Sequence, residues 1–430
     1  MFLLDILRTP LHTRKHVRQV TTSIIFFITY GKRVTGMDDE AVTTSQLAVE
    51  GANAAGVPGR FWIEFLPFLK NVPSWVPARN SEKYSGTEDE PFYDDVARNV
   101  AGVAYAAGAD TTTSACESFL TAMAMFPTVQ KKAQEELDRI VGLHRLPEFD
   151  DFEKMPYVRA IVMEVMRWVP VLPFGIPHAL TTDDVYDGYH IPKGTAVIPN
   201  AWAMLHDPED YPEPELFKPE RFIGKDGRID VNVRDPSTIA FGFGRRMCPG
   251  RHFSNNTLSI LIASTLHVFD VTAGVDASGK LVELNPEMIG GTITPWPIIG
   301  NALDMPTIRP WEKYCQWCKT YNSNIIYLHL PMRPVNPVKV AFDLPDKRSS
   351  LYSDRIRNVM FELFIPYTAS QDSERIAGCS INIFVMAQYR PVQLQDVRMF
   401  LSDVLKTPAS AHTRKHVRQY VHSLPAAESA

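Results

Sequence analysis

The stretch Phe241-Gly-Phe-Gly-Arg-Arg-Met-Cys-Pro-Gly-Arg-His-Phe253 places one cysteine, Cys248, in a glycine-punctuated loop before the apolar helical run Leu258 to Val268. A cysteine at the start of a helix has its thiolate stabilised by the helix dipole and by backbone N–H groups. Glycines let the backbone approach a flat cofactor closely or adopt positive φ. The loop glycines are Gly242, Gly244 and Gly250. The pattern predicts that Cys248 is a metal ligand.

Composition limits the class of protein. With 430 residues, 45% hydrophobic and 22% charged, the chain is long enough for one large globular domain or two to three ordinary ones. A net charge of -5 gives no general attraction for polyanions, so no nucleic acid partner is expected. The 5 cysteines are few and odd in number, which argues against a disulfide-stapled secreted protein and indicates a reducing compartment.

Hydrophobic spacing predicts more helix than strand. Helices are predicted over Asp94 to Met125, over Thr128 to Val141 behind Pro127, and from Pro156 to Pro170. Turn signals at Asp187-Gly188 and Pro192-Lys193-Gly194 predict a small β-hairpin system over Asp184 to Ile191 and Ala196 to Asn200. The apolar run Ser23 to Tyr30 is too short to span a bilayer, so no membrane anchor is expected.

The cysteine loop resembles the haem-binding signature of the cytochrome P450 superfamily, particularly its fungal microsomal members. The resemblance implies that Cys248 is the thiolate ligand to the iron of haem b (iron protoporphyrin IX). It also implies cofactor-binding roles for Phe241, Gly244, Arg246, Gly250 and His178. Arg246 would pair with a haem propionate, because a guanidinium matches a carboxylate well. Ala179 stands where the family commonly has a basic residue, so weakened propionate anchoring is expected.

A second motif lies on the long predicted helix. Ala107-Gly-Ala-Asp-Thr-Thr112 resembles the family's oxygen-activation motif. The resemblance implies that Gly108 leaves room for dioxygen, that Thr111 hydrogen-bonds the bound oxygen, and that Asp110 relays protons from solvent. From the residues alone, a threonine in the middle of a helix is usually a core residue or is bonded back to a carbonyl.

A third set of residues has an architectural interpretation. Glu164 and Arg167 are three residues apart on one helix face and can pair, which by itself indicates an ordinary surface contact. Together with Pro219-Glu-Arg-Phe222 they resemble the family's ExxR and PERF elements. The resemblance implies a buried structural triad of Glu164, Arg167 and Arg221. Cys315-Gln-Trp-Cys318 has redox or zinc spacing but is interpreted as a helix face.

The motifs follow an unusual order. Residues 1–294 resemble the middle and C-terminal parts of the family, and residues 295–430 resemble its N-terminal part, ending in a repeat of residues 1–19. The run HTRKHVRQ occurs at 12–19 and again at 412–419, and both copies are interpreted as the same structural helix. Either a fusion of two adjacent similar genes or a permuted chain that rebuilds one fold explains this order. Segments between Ala78 and Thr87 and from Phe364 to Gln388 look shortened or altered.

The resemblance implies a mainly α fold with small β-sheets, namely a cytochrome P450 fold that is incomplete and circularly permuted. The implied function is a monooxygenase that inserts one oxygen atom from O2 into an apolar small molecule, using electrons from NADPH-cytochrome P450 reductase. The implied location is the endoplasmic reticulum membrane, or the cytoplasm if no anchor is present. A catalytically impaired haem-binding remnant or sensor is the alternative, and an interaction module without cofactor is a third possibility.

Overall fold

The computed structural model describes residues 10–32, 34, 39, 42–43, 92–273, 284, 310–320, 332–335 and 341–355. Helices predominate in these ranges. They are α1 (Pro10–Tyr30), α2 (Phe92–Met125), α3 (Pro127–Ile140), α4 (Pro156–Trp168), α5 (Ala201–Leu205), α6 (Ser237–Ala240), α7 (Arg251–Val268) and α8 (Pro310–Thr320). Single turns of other helix types lie at Phe149–Lys154, Pro219–Phe222, Gly244–Arg246 and Phe342–Lys347.

Proline marks the start of two of these helices, as predicted. Pro127 and Pro156 occupy the first positions of α3 and α4, where the missing N–H has no helical partner to lose. Past the end of α3, Gly142 adopts a φ of 77°, the left-handed conformation that glycine allows after a helix. The 34-residue α2 begins two residues before its predicted start and ends where predicted. The first HTRKHVRQ copy is helical, as predicted, and the second copy lies outside the described residues.

The main core lies between helices. Apolar faces of α1, α2, α3, α4 and α7 meet in one hydrophobic cluster, with Phe119, Met123, Leu137 and Ile161 almost completely buried within it. Burying a side chain of this size contributes about 1.5–3 kcal/mol, so this bundle supplies much of the stability of the described region. The long helix α2 therefore serves as a rigid support for the residues it carries.

Strands are few and short. They are β1 (His178–Ala179), β2 (Asp184–Tyr186), β3 (Tyr189–Ile191), β4 (Ala196–Pro199) and β5 (Met332–Val335). The hairpin β2–β3 turns at Asp187-Gly188, both with positive φ, as the sequence predicts. β4 does not join that hairpin, because it pairs antiparallel with β1 and parallel with β5.

Chain segments far apart in sequence complete this second sheet. β5 aligns with β4 so that Ala196 pairs with Met332, and Ala179 forms an isolated bridge with Asp354. Residues 332–335 and 341–355 therefore pack beside the strands of residues 178–199. A mainly α architecture with small sheets is thus confirmed. The permuted order and the division at residue 294 remain predictions. Within the described ranges, no helix is both long and apolar enough to cross a membrane.

Candidate functional site

The loop around Cys248 is shaped by two glycines. Gly242 and Gly244 have φ values of 78° and 58°, which residues with a side chain rarely adopt. A tight turn over Gly244–Arg246 follows, and the Cys248 N–H donates to the Phe241 carbonyl at 2.8 Å. Gly250 has a φ of -82° and precedes the first residue of α7, so its backbone is not in the left-handed region. These constraints place Cys248 just before the N-terminus of α7.

The Cys248 thiol has a mixed environment. Burial raises its pKa, while the Gly250 N–H and the Arg251 guanidinium act in the opposite direction. The sulfur lies 3.8 Å from the position that a Cβ on Gly250 would take, which is ordinary contact. The backbone N–H is a feature that the sequence predicts for thiolate stabilisation, whereas the contribution of the Arg251 guanidinium comes from the structure. Burial dominates in the protein alone.

A distant segment holds the loop from the other side. The Gly244 N–H donates to the Asp346 carboxylate at 3.1 Å, and the ring of Phe243 meets that of Phe342 edge to face. A Cβ on Gly244 would collide with the Pro345 carbonyl oxygen. Glycine is therefore required at 244 both for its φ and for this close approach.

Three basic side chains come together beside the loop. The Arg246 Nε donates to the Ser353 carbonyl at 2.9 Å, and Nδ1 of His178 lies 2.7 Å from the Tyr352 carbonyl. Arg355 donates through Nη1 to the carbonyls of the two residues before His178, at 3.2 and 3.0 Å. Burial, Arg355 and Arg246 lower the pKa of His178 to about 4. His178 is therefore neutral between two guanidinium groups.

Glu164, Arg167 and Arg221 form one buried network. The Glu164 carboxylate accepts two hydrogen bonds from Arg167 at 2.8 Å each, and the Arg221 Nε lies 3.2 Å from it. The side chains of Glu164 and Arg167 are 0% exposed. The Lys218 backbone N–H donates a further hydrogen bond to the Glu164 carboxylate at 2.7 Å. The structure thus brings together the three residues predicted as a structural triad.

The oxygen-activation motif on α2 has one residue bonded within its own helix and two residues in contact with α1. The Thr111 hydroxyl donates to the Ala107 carbonyl one turn back at 2.7 Å. Asp110 forms an ion pair with Arg18 of α1 at 2.9 Å. A Cβ on Gly108 would lie 2.7 Å from Cδ1 of Ile25, so the glycine allows α1 and α2 to pack closely. This contact gives Gly108 a packing role, and its role of leaving room for dioxygen stays a prediction.

Two residues near the site escaped the sequence interpretation. Arg18 belongs to the basic run of the repeat, whose second copy suggested a purely structural helix. Arg355 follows a strand-like segment and matches no motif. The pair Cys315 and Cys318 lies on the helix α8, as the helix-face interpretation expects, and neither forms a disulfide with another described cysteine. The segments 78–87 and 364–388, predicted to be altered, lie outside the described residues.

The comparisons with known proteins bear on this arrangement. The cytochrome P450 family model matches residues 78–285, a stretch that includes α2, the buried triad and the cysteine loop. Cytochrome P450 monooxygenase COX2 of Coprinopsis cinerea is 38% identical over 337 residues, covering 68% of this chain and 64% of the relative. Cytochrome P450 monooxygenase ple1 of Rhodocybe pseudopiperita is 39% identical over 322 residues, covering 66% and 61%.

A third relative is named for a specific reaction. Tryptamine 4-monooxygenase of Psilocybe cyanescens is 36% identical over 321 residues, covering 65% of this chain and 63% of the relative. The chain thus spans less than two thirds of the length of each of these three relatives. The matched stretch contains the cysteine loop, the oxygen-activation motif and the buried triad, and residues 78–285 of this chain therefore belong to the cytochrome P450 superfamily.

Proposed function

We propose that this chain is a haem-thiolate monooxygenase that inserts one oxygen atom from O2 into an apolar small molecule. The observation that carries the proposal is the placement of the Cys248 thiol, at the start of α7, in a loop whose Arg246 belongs to a cluster of three basic side chains. Family membership implies a haem cofactor, and haem b is the form that the proposal names.

The donor set fits haem. Haem would need a ligand for its iron and partners for two carboxylates, and Cys248 and the basic cluster offer these two kinds of group. Arg246 and Arg355 are the proposed partners of the carboxylates. His178, which donates its Nδ1–H to the Tyr352 carbonyl and therefore has an Nε2 that only accepts, is proposed as a neutral neighbour of the haem. Arg355 offsets the lack of a basic side chain at position 179. The Ala179 N–H donates to the carbonyl of Asp354 at 2.8 Å, and this bond brings the next residue, Arg355, close to position 179.

When bound, haem supplies the activation of dioxygen, and thiolate ligation favours O–O cleavage by donating electron density. The protein's own contribution is to hold protons ready. Thr111 keeps its hydroxyl proton on the Ala107 carbonyl, from which a rotation about χ1 redirects it. Asp110, the preceding residue, is held by Arg18 and can take a proton from solvent and then pass it to the Thr111 oxygen as that hydroxyl gives up its own.

Electrons would come from NADPH-cytochrome P450 reductase, the partner that the family resemblance implies. An apolar substrate is supported by Leu172 and Ile176, which are 42% and 56% exposed on the loop leading into His178. Exposed apolar side chains beside a candidate site suit an apolar ligand. The endoplasmic reticulum membrane is the proposed location, again from family resemblance.

The carbon monoxide difference spectrum of the reduced protein tests this function. The wild-type protein loaded with haem should show the red-shifted Soret band of thiolate ligation, and Cys248→Ser should abolish it. Cys315→Ser is the matched control, because it removes a half-buried thiol on α8 and should leave the band intact. A band that survives Cys248→Ser would overturn the ligand assignment. A normal band without any substrate oxidation in the presence of reductase would favour the alternative of a haem-binding remnant or sensor.

A further inference from the structure

The cysteine pair of α8 lies at the edge of a buried helix face. Trp311 and Tyr314 are each 4% exposed. Cys315 and Cys318 each follow one of them by four residues, so the four side chains share one side of the helix. Both cysteines are half-buried. The Asn200 side chain donates to the Trp311 carbonyl at 3.1 Å, which anchors the first turn of α8. The two thiols are therefore neighbours on an anchored helix.

Packing alone does not account for this pair. Cysteine outside disulfides is among the residue types most often fully buried, as Cys116 is at 0% exposed. Cys318 packs against the aromatic cluster around Tyr314, yet it stays half-buried there. Cysteines with a chemical role lie in partly exposed places that a ligand can reach. The exposure of Cys315 and Cys318 is of this second kind.

The charges around Cys315 have both signs. Burial raises the pKa of its thiol, Lys319 lowers it and Asp207 raises it. Lys319 lies one turn further along α8, and Asp207 lies just past α5, the helix against which α8 packs. A thiol in this setting keeps its proton until a ligand displaces it. Lys319 is placed to offset the negative charge of a complex with two thiolates.

Helix geometry decides which chemistry suits the pair. Side chains three residues apart on a helix have Cβ atoms about 5–6 Å apart. A disulfide needs Cβ atoms about 3.5–4.5 Å apart, so a bridge between Cys315 and Cys318 would distort α8. A structural zinc ion takes four ligands, and the described part of the chain has no group of three or more histidine, cysteine or acidic side chains placed to hold a metal. The pair instead offers two sulfur ligands to one soft ion.

We propose that Cys315 and Cys318 form a two-coordinate site for Cu(I) on α8. Soft thiolate ligands favour Cu(I), zinc and iron–sulfur clusters, and of these only Cu(I) is satisfied by two ligands. Binding forms two Cu–S bonds and releases the two thiol protons to solvent, with no change in the oxidation state of copper or sulfur. The reducing compartment expected from the sparse cysteines keeps both thiols and the copper reduced. The site does not depend on the proposed function.

Competition with bathocuproine disulfonate, a chelator of Cu(I), tests this site. The reduced full chain is equilibrated with Cu(I) and the chelator in the absence of oxygen, and the copper retained per chain is measured. The wild-type protein should retain one equivalent. Cys315→Ser and Cys318→Ser should each weaken binding about a thousandfold, because the second thiol on the same helix acts at a high effective concentration. Cys248→Ser is the matched control, since it removes a half-buried thiol outside α8 and should bind copper as the wild-type protein does.

Copper retained by both serine variants of α8 would overturn the site, as would a wild-type chain that retains none. Where unfolding in denaturant shows that a serine variant has lost its fold, the copper K-edge spectrum of the wild-type complex decides the question. Sulfur neighbours alone are expected in that spectrum, and nitrogen or oxygen neighbours in their place would refute the pair of thiolates. Failure of the wild-type protein to show the thiolate haem band would refute the proposed function and leave this result unaffected.

Discussion

Arg355 gives the sharpest test of how this chain holds its cofactor. Its guanidinium is fixed by two backbone carbonyls and lies beside His178, on a segment about one hundred residues beyond the cysteine loop. We predict that Arg355→Gln weakens the binding of haem and leaves the binding of haem dimethyl ester, which has no free carboxylate, unchanged. The difference between the two ligands isolates the pairing of the guanidinium with a carboxylate.

The expected magnitude follows from the environment of the side chain. A hydrogen bond to a charged group contributes about 1.5–3 kcal/mol, and the lower end applies because Arg355 is half-buried and partly screened by water. A loss of about 1.4 kcal/mol corresponds to a tenfold rise in the Kd for haem.

Absorbance titration of the haem-free full chain with each ligand provides the assay. Arg348→Gln is the matched control, because Arg348 lies on the same segment but pairs with Asp184 at 2.7 Å. It should leave the preference for haem over the ester unaltered. An equal loss of affinity for both ligands in Arg355→Gln would show that Arg355 acts by supporting the fold and would refute the assigned pairing.

Three further outcomes can be measured by denaturant unfolding of the full chain. Gly244→Ala should lower the free energy of unfolding by several kcal/mol, because the new Cβ collides with the Pro345 carbonyl oxygen and the backbone is strained. The control Gly242→Ala has nothing within 4 Å of its new Cβ and should cost about 1 kcal/mol from strain alone. Equal losses in the two variants would contradict the close approach at Gly244. Glu164→Gln should cost about 3–5 kcal/mol because it leaves Arg167 buried without its counter-charge, and a loss below 1 kcal/mol would count against the network. Because the folded pKa of His178, about 4, lies below its ordinary 6.5, its contribution to stability is fully present above pH 6.5 and should fall by up to about 3 kcal/mol towards pH 4. The pKa of His206 is also lowered to about 4, so His178→Gln should make this acid limb shallower without removing it, and an unchanged pH profile would argue against a buried neutral imidazole at 178.

The sequence predicted those features that depend on a few neighbouring residues. Pro127 and Pro156 predicted helix starts, and Asp187-Gly188 predicted a hairpin turn, because each of these residues favours a particular backbone conformation at its own position. The spacing of Glu164 and Arg167 placed both on one face. Their burial came from resemblance alone, since the same spacing is common on helix surfaces.

Other parts could not be predicted, because they depend on contacts across the chain. Gly108 was interpreted from its motif alone. In the structure, a Cβ at this position would collide with Ile25, a residue more than eighty positions away in the sequence. The pairing of β4 with β5 likewise needs the fold, because a four-residue strand pattern does not specify its partner.

Residues 341–355 contact the site mainly through their backbone, which explains why sequence motifs do not identify these residues. Arg246, His178 and Arg355 each meet a backbone carbonyl, and Gly244 offers a backbone N–H to Asp346. A carbonyl is present at every position, so such contacts leave little trace in the identity of the residue that supplies it. They nevertheless hold the side chains of the cluster in place. It follows that a stretch outside the matched residues 78–285 can be as necessary to the cofactor site as the motifs themselves.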